Sequence, residues 1–115
     1  MRRGDIWLFD LDPVRGAEAN KVRPAIVVSN DGANQAAARR GSGVVTIVPL
    51  TTNTSTVYSF QVLLAPEATG LTRESKAQAE QVRSVAVTRA TRHVGVVRAS
   101  DMAHIDRALR LHIGL

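Results

Sequence analysis

The chain has no cysteine, so neither disulfide stapling nor thiolate chemistry is available, and nothing in the composition points to an oxidising compartment. Long apolar runs are also missing. The N-terminus, Met1-Arg2-Arg3-Gly4-Asp5, leads straight into an amphipathic pattern, without a signal core or a bilayer-spanning stretch. The expectation is a soluble, cytoplasmic protein with no membrane partner. Histidine is scarce: His93, His104 and His112 are the only three. Two of them fall in the last predicted helix, far in sequence from the polar loops, so no two-histidine catalytic site is evident. With no cysteine and no clustered carboxylates to complete a ligand set, no metal site and no cofactor are expected. A glycine-rich phosphate cradle, a G-x-S-x-G elbow and a spaced carboxylate pair are all lacking, which removes the common hydrolase templates.

What the chain does have is positive charge. Fifteen basic residues against ten acidic ones give +5 and a pI near 11.0, and thirteen of the fifteen are arginine. Arginine presents a planar fork that grips a phosphate bidentately, so the bias favours a nucleic-acid partner more than a lysine-rich surface would. At 115 residues with 44% hydrophobic content, residues 1–115 are expected to form one domain with its own core.

Short apolar segments punctuated by turn residues predict a β-rich chain. Asp5 to Leu11 is a first strand, with Trp7, Phe9 and Leu11 on one face as core or dimer-interface residues. Residues 12–22 collect Pro13, Gly16 and Asn20 without periodicity and read as a long loop. Pro24 to Ser29 is a buried second strand opened by its proline. Asn30 and Asp31, an alanine-rich body and Gly41 after Arg39-Arg40 mark a short exposed helix. Val44 to Leu50 is a third strand and Tyr58 to Leu64 a fourth, expected to pair across the hydroxyl-rich turn 51–57. Lys76 to Arg83 and Val94 to Val97 are the remaining strands. Ser100 is the expected cap of a final helix packing through Met102, Ile105, Leu109 and Ile113. The fold expected is a small, strongly curved antiparallel sheet or open barrel with a short helix between strands and a C-terminal helix.

Two polar positions at the ends of buried strands carry the candidate chemistry. Arg23 is held in extended backbone by the proline that follows it, and the apolar run beyond anchors it. Thr51 directly follows Val44 to Leu50 and opens the polar turn, so it too is set on a rigid element. If both face one groove, Arg23 binds a phosphodiester and offsets charge building on its oxygens, while Thr51 orients the same group. RNA brings its own nucleophile, the 2′-hydroxyl, so cleavage would need positioning and electrostatics more than a metal-activated water. The plainer reading of the same residues is a surface ion pair and a turn cap. Tyr58, beside the polar turn, is either a base-stacking residue or a structural aromatic.

At this point the residues resemble a known family. Arg3-Gly-Asp-Ile-Trp7, Gly16-Ala-Glu18, Val22-Arg-Pro-Ala-Ile-Val-Val-Ser-Asn-Asp31, Val48-Pro-Leu-Thr51 and Glu80-Gln-Val-Arg83 fall in the order and spacing of the MazF/PemK/Kid toxins, over nearly the whole chain. The resemblance implies an SH3-like, CcdB/PemK-type barrel and a homodimer. It implies an mRNA interferase that cleaves single-stranded RNA at a short sequence, without metal or ribosome, and a cognate MazE-like antitoxin. It implies that Arg23 and Thr51 are the catalytic pair and that Glu18, Asn20, Lys21, Asn53 and Gln81 contact RNA. Several members have Gly-Ser-Glu where this chain has Gly16-Ala17-Glu18, which removes a hydroxyl from the first loop. Arginine holds its proton too tightly to accept another, leaving Glu18 as a candidate base or as a charge partner of Arg23.

Two rivals come from other classes. A CcdB-like gyrase inhibitor would work through C-terminal residues including a tryptophan, whereas this chain ends His112-Ile-Gly-Leu115 and has its only tryptophan at position 7. A non-catalytic RNA-binding module would need no Arg23 and Thr51 pair and would leave RNA intact.

Overall fold

Alternation at period two divides the core between the two faces of one antiparallel sheet. A computed structural model describes residues 1–11 and 21–115. Its strands are β1 (Asp5–Asp10), β2 (Val22–Val27), β3 (Val44–Thr51), β4 (Gln61–Leu64), β5 (Ser75–Gln78), β6 (Arg83–Ala86) and β7 (Ala90–Val96). They run in the order β4-β5-β3-β2-β1-β7, with β6 also on β3. Odd-numbered Phe9, Ala25, Val27, Val45 and Ile47 fill one core with Ala37 of helix α1 (Asp31–Arg40). Even-numbered Ile6, Ile26, Val48 and Leu50 fill the other with Met102 and Ile105 of helix α3 (Ala99–Ile113). Each central strand thus buries both of its faces, which is why the segments around residues 25–28 and 44–50 read as continuous apolar runs.

The expected strand pairing and several element boundaries change. The third and fourth strands do not pair. One edge of β3 is shared by β6, from Val44↔Ala86 to Ile47↔Arg83, and by β5, at Leu50↔Ala77 and Thr51↔Lys76. This leaves no edge for β4, which pairs with β5 instead. The connection between β3 and β4 is too long for a tight hairpin, and β4 is shorter than the expected Tyr58 to Leu64. The segment expected as one strand from Lys76 to Arg83 breaks at a 3-10 turn, Ala79–Gln81, which shifts the chain from β5 to β6 along that shared edge. Helix α2 (Pro66–Thr69), too short to show periodicity, joins β4 to β5.

Helix α1 starts and stops where its sequence says. Asn30 Oδ1 accepts from Ala33 N–H at 2.9 Å, and Gly41 takes the left-handed conformation at φ 65°. It is not simply exposed, because Ala37 and Asn34 are buried. Asn34 Nδ2 donates to the Ser29 carbonyl at 2.7 Å, its Oδ1 accepts from Ser29 Oγ, and Ser29 Oγ accepts from Thr46 N–H at 3.0 Å. This chain ties α1 through Ser29 to β3. Asn34→Ala removes a partner from each end of Ser29 and is expected to cost about 1–3 kcal/mol, read as a lower denaturant midpoint with unchanged slope. In α3 the extended cap position belongs to Arg98, without a side-chain cap bond, so Ser100 lies inside the first turn. Ile113, the last helical residue before the cap Gly114, is exposed and does not join the core. Among the described residues, no helix is long and apolar enough to cross a membrane.

Candidate nucleic-acid interface

Strand register brings the two candidate residues together. On β2, Arg23 lies opposite Phe9 of β1, and Ala25 lies opposite Pro49 of β3. Continuing that last register outward by two residues sets Arg23 across from Thr51, and directly opposed residues point to the same face. Both side chains line one cavity of about 300 Å³, together with Lys21, Thr52 and Ser75 and an apolar floor of Pro24 and Leu50. Two cations and three hydroxyl-bearing residues therefore converge, and among the described residues no carboxylate lines the cavity. Such a set is built for an anion with several oxygens. An adjoining cavity of about 240 Å³ shares Pro24, Thr52 and Ser75 and adds Arg73, which extends the basic surface.

Local geometry fixes the polar groups. Thr51 is the last residue of β3, and its Oγ1 accepts Asn53 N–H at 3.3 Å. With that lone pair engaged, the hydroxyl proton is directed elsewhere and is suited to donate to a phosphoryl oxygen. Lys21 sits at φ 62°, a left-handed conformation uncommon for a lysine, and its carbonyl accepts Leu11 N–H at 2.9 Å. This bond ties Lys21, a lining residue of the cavity, to the end of the first strand segment at Leu11.

The other residues proposed from sequence are distributed differently. Asn53 is exposed and outside the cavity lining, and its Oδ1 accepts from Ser55 N and Oγ at 3.4 and 2.9 Å, which organises the turn after β3. Gln81 ends the 3-10 turn between β5 and β6, away from the cavity lining. Glu18 and Asn20 lie outside the described residues. Thr52 and Ser75 were not singled out from sequence. Thr52 had the signal of its neighbour, whereas Ser75 enters only because β5 docks beside β3. No group of three or more histidine, cysteine or acidic side chains that could hold a metal ion occurs among the described residues.

Lys76 anchors the turn that leaves the site. It is 8% exposed, its Cα lies opposite Thr51, and its Nζ donates to the Thr56 carbonyl at 2.5 Å. The ammonium also lies 6.0 Å from the Tyr58 ring centroid. Trp7 and Phe9 resolve as structural residues: Phe9 is fully buried, and Trp7 packs against the same core and meets His93 edge-on at 5.4 Å.

Residues 2–113 match the family described as PemK-like, MazF-like toxin of type II toxin-antitoxin systems. The chain is 57% identical over 115 residues to endoribonuclease MazF9 of Mycobacterium tuberculosis, covering all of this chain and 98% of that protein. It is 33% identical over 116 residues to the probable endoribonuclease MazF of Mycolicibacterium smegmatis, again covering all of this chain and 98% of the other. A solved MazF from Deinococcus radiodurans superimposes with a TM-score of 0.79 at 22% identity, covering 100% of this chain and 97% of that one. A mycobacterial endoribonuclease solved with its cognate antitoxin gives 0.78 at 24% identity, covering 100% and 96%. The sheet, its helices and the sequence motifs agree, and the chain belongs to the PemK-like, MazF-like toxins of type II toxin–antitoxin systems.

Proposed function

We propose that the protein is a sequence-selective endoribonuclease that cleaves single-stranded RNA in the cytoplasm, with Arg23 and Thr51 as its catalytic pair. The observation that carries this reading is that Arg23 and Thr51, from different strands, line one cavity together with Lys21. A phosphodiester bound there gives its non-bridging oxygens to the Arg23 guanidinium and the Thr51 hydroxyl. The adjacent 2′-hydroxyl attacks phosphorus and loses its proton to a base, for which Glu18 of the first loop is the candidate. The P–O5′ bond breaks, the leaving oxygen takes up a proton, and the products are a 2′,3′-cyclic phosphate and a free 5′-hydroxyl. Charge stabilisation and alignment are supplied by the protein's own side chains, and the reaction needs no metal. Lys21 and the residues of the first loop hold the strand on either side of the cut, with Asn53 and Gln81 contacting it further out.

The protein works as a homodimer. A MazE-like antitoxin keeps it silent by laying an acidic segment, disordered when free, over this basic surface. A mycobacterial endoribonuclease of the same fold is held in complex with its cognate antitoxin, which supports a partner of this kind. The test is incubation of a long single-stranded RNA with wild type, Arg23→Ala and Thr51→Ala in excess EDTA, with ends mapped by primer extension. Discrete cuts at a recurring short sequence, lost in both variants, are expected. Intact RNA with folded, antitoxin-free wild type would overturn the reading.

A further inference from the structure

We propose that Tyr58 and Phe60 form a preformed stacking platform for one unpaired base next to the scissile phosphodiester. The inference rests on the ribonuclease reading and says where the bound strand goes after it leaves the cavity. Tyr58 is 55% exposed, and its ring lies parallel to that of Phe60, within 1°, at a centroid separation of 5.4 Å. At that separation parallel rings are offset, so they present a stepped apolar surface rather than a closed sandwich. Trp7 and Phe9 are taken into the core side of the sheet, whereas this pair lies on a connecting segment, with Tyr58 exposed and Phe60 half-buried behind it.

The loop that carries the rings is braced from three elements. Gln61 N–H, at the start of β4, donates to the Tyr58 carbonyl at 2.9 Å, and Tyr58 N–H donates to Gln61 Oε1 at 3.1 Å. Gln61 Nε2 in turn donates to Glu80 Oε2 of the 3-10 turn at 2.6 Å. From β5, the buried Lys76 ammonium holds the Thr56 carbonyl. Rings fixed in this way lose little conformational freedom when a ligand arrives, which favours binding without any new contact.

Position and charge identify the occupant. Arg23, Thr51 and Lys76 form one row across β2, β3 and β5: Thr51 is registered to Lys76, and Arg23 reaches the same cavity as Thr51. Lys76 lies beside Tyr58 at the end of that row. A strand whose phosphate sits between Arg23 and Thr51 therefore meets the platform within its next residues. The Lys21 and Arg23 cations that line the cavity suit a ligand that carries phosphate along with a flat ring. A nucleic-acid base fits both features, and because every base has a π-face, the platform adds affinity and fixes register without choosing the base.

The test uses an RNA that carries the mapped cleavage site, with a 2′-deoxy residue at the reacting nucleotide so that it binds without being cut, and an abasic residue placed at each flanking position in turn. Wild type is expected to lose about tenfold in affinity at one position beside the cut. Tyr58→Ala is expected to lose about tenfold on the intact RNA and nothing further at that abasic position, while Tyr58→Trp restores wild-type behaviour. If Tyr58→Ala binds every RNA as wild type does, the platform proposal is overturned while the ribonuclease reading stands. It is equally overturned if the variant keeps its RNA affinity and loses affinity only for an acidic antitoxin peptide, since the patch then serves a protein partner. Wild type that neither binds nor cuts any of these RNAs brings down both.

Discussion

Replacing Arg23 with alanine is expected to lower the cleavage rate at saturating RNA by about 10²–10³-fold while leaving the fold intact, the scale seen when one preorganised donor to a developing oxyanion is removed. Arg23 sits half-buried near the start of β2, where it contributes no apolar surface to either core, so the loss should fall on chemistry and not on stability. Arg23→Lys should recover little, because an ammonium cannot reproduce two parallel N–H bonds to a phosphate. Thr51→Ala should act in the same direction with a smaller effect, since it deletes one neutral hydrogen bond. If the two residues serve the same phosphate, the double variant should be less impaired than the product of the single effects. Single-turnover rates at saturating RNA, set beside thermal unfolding of each variant, measure this directly. Normal cleavage by a folded Arg23→Ala would remove the basis of the mechanism.

The second large effect concerns the wall of the site and starts from a glycine. A Cβ placed on Gly95 of β7 would lie 2.0 Å from the carbonyl oxygen of Thr69 and 3.0 Å from its carbon. Both are backbone atoms, so no side-chain rotation relieves the clash. Opposite it, Gly70 closes α2 at φ 78° and approaches the Val94 carbonyl, and this glycine pair is what lets α2 lie against β7. Gly95→Ala must push α2 away, and Thr69, buried and bonded to Leu71 N–H at 3.1 Å, would carry the displacement into the segment that leads to Ser75 and the cavity. A destabilisation of about 2–3 kcal/mol is expected, visible as a fall in Tm of roughly 10 °C, with cleavage reduced in the fraction that stays folded. An unchanged Tm would mean that α2 does not rest on β7.

Legibility in the sequence followed the range of the interactions. Helix α1 was readable because Asn30 and Gly41 act on their own neighbours. β1, β2 and β3 were readable because their apolar runs are local, and Arg23 and Thr51 stood out because each borders such a run. What failed depended on contacts distant in the chain. The pairing of β4 was assigned to the wrong strand because nothing in Gln61–Leu64 states that β5 and β6 occupy the edge of β3. Ser75 carried no local signal, and Lys76 read only as the start of a strand, until β5 placed one in the cavity and buried the other beneath the turn. Ser100 was the better cap by residue type, yet the backbone stays extended past β7 as far as Arg98, which takes the cap position. Tyr58 was ambiguous from sequence because its exposure is set by the brace among Gln61, Glu80 and Lys76, which come from three separate segments.

The most direct test of the central claim is one oxygen atom. An RNA carrying the mapped site should be compared with the same RNA containing a single 2′-deoxy residue immediately before the cut, and the end groups of the products determined. The all-ribose strand is expected to yield a 2′,3′-cyclic phosphate and a 5′-hydroxyl, and the single deoxy substitution to abolish cleavage at that site while binding persists. Continued cutting of the deoxy strand, or a 5′-phosphate on the product, would show that water and not the 2′-hydroxyl attacks, and would contradict the mechanism built on Arg23 and Thr51.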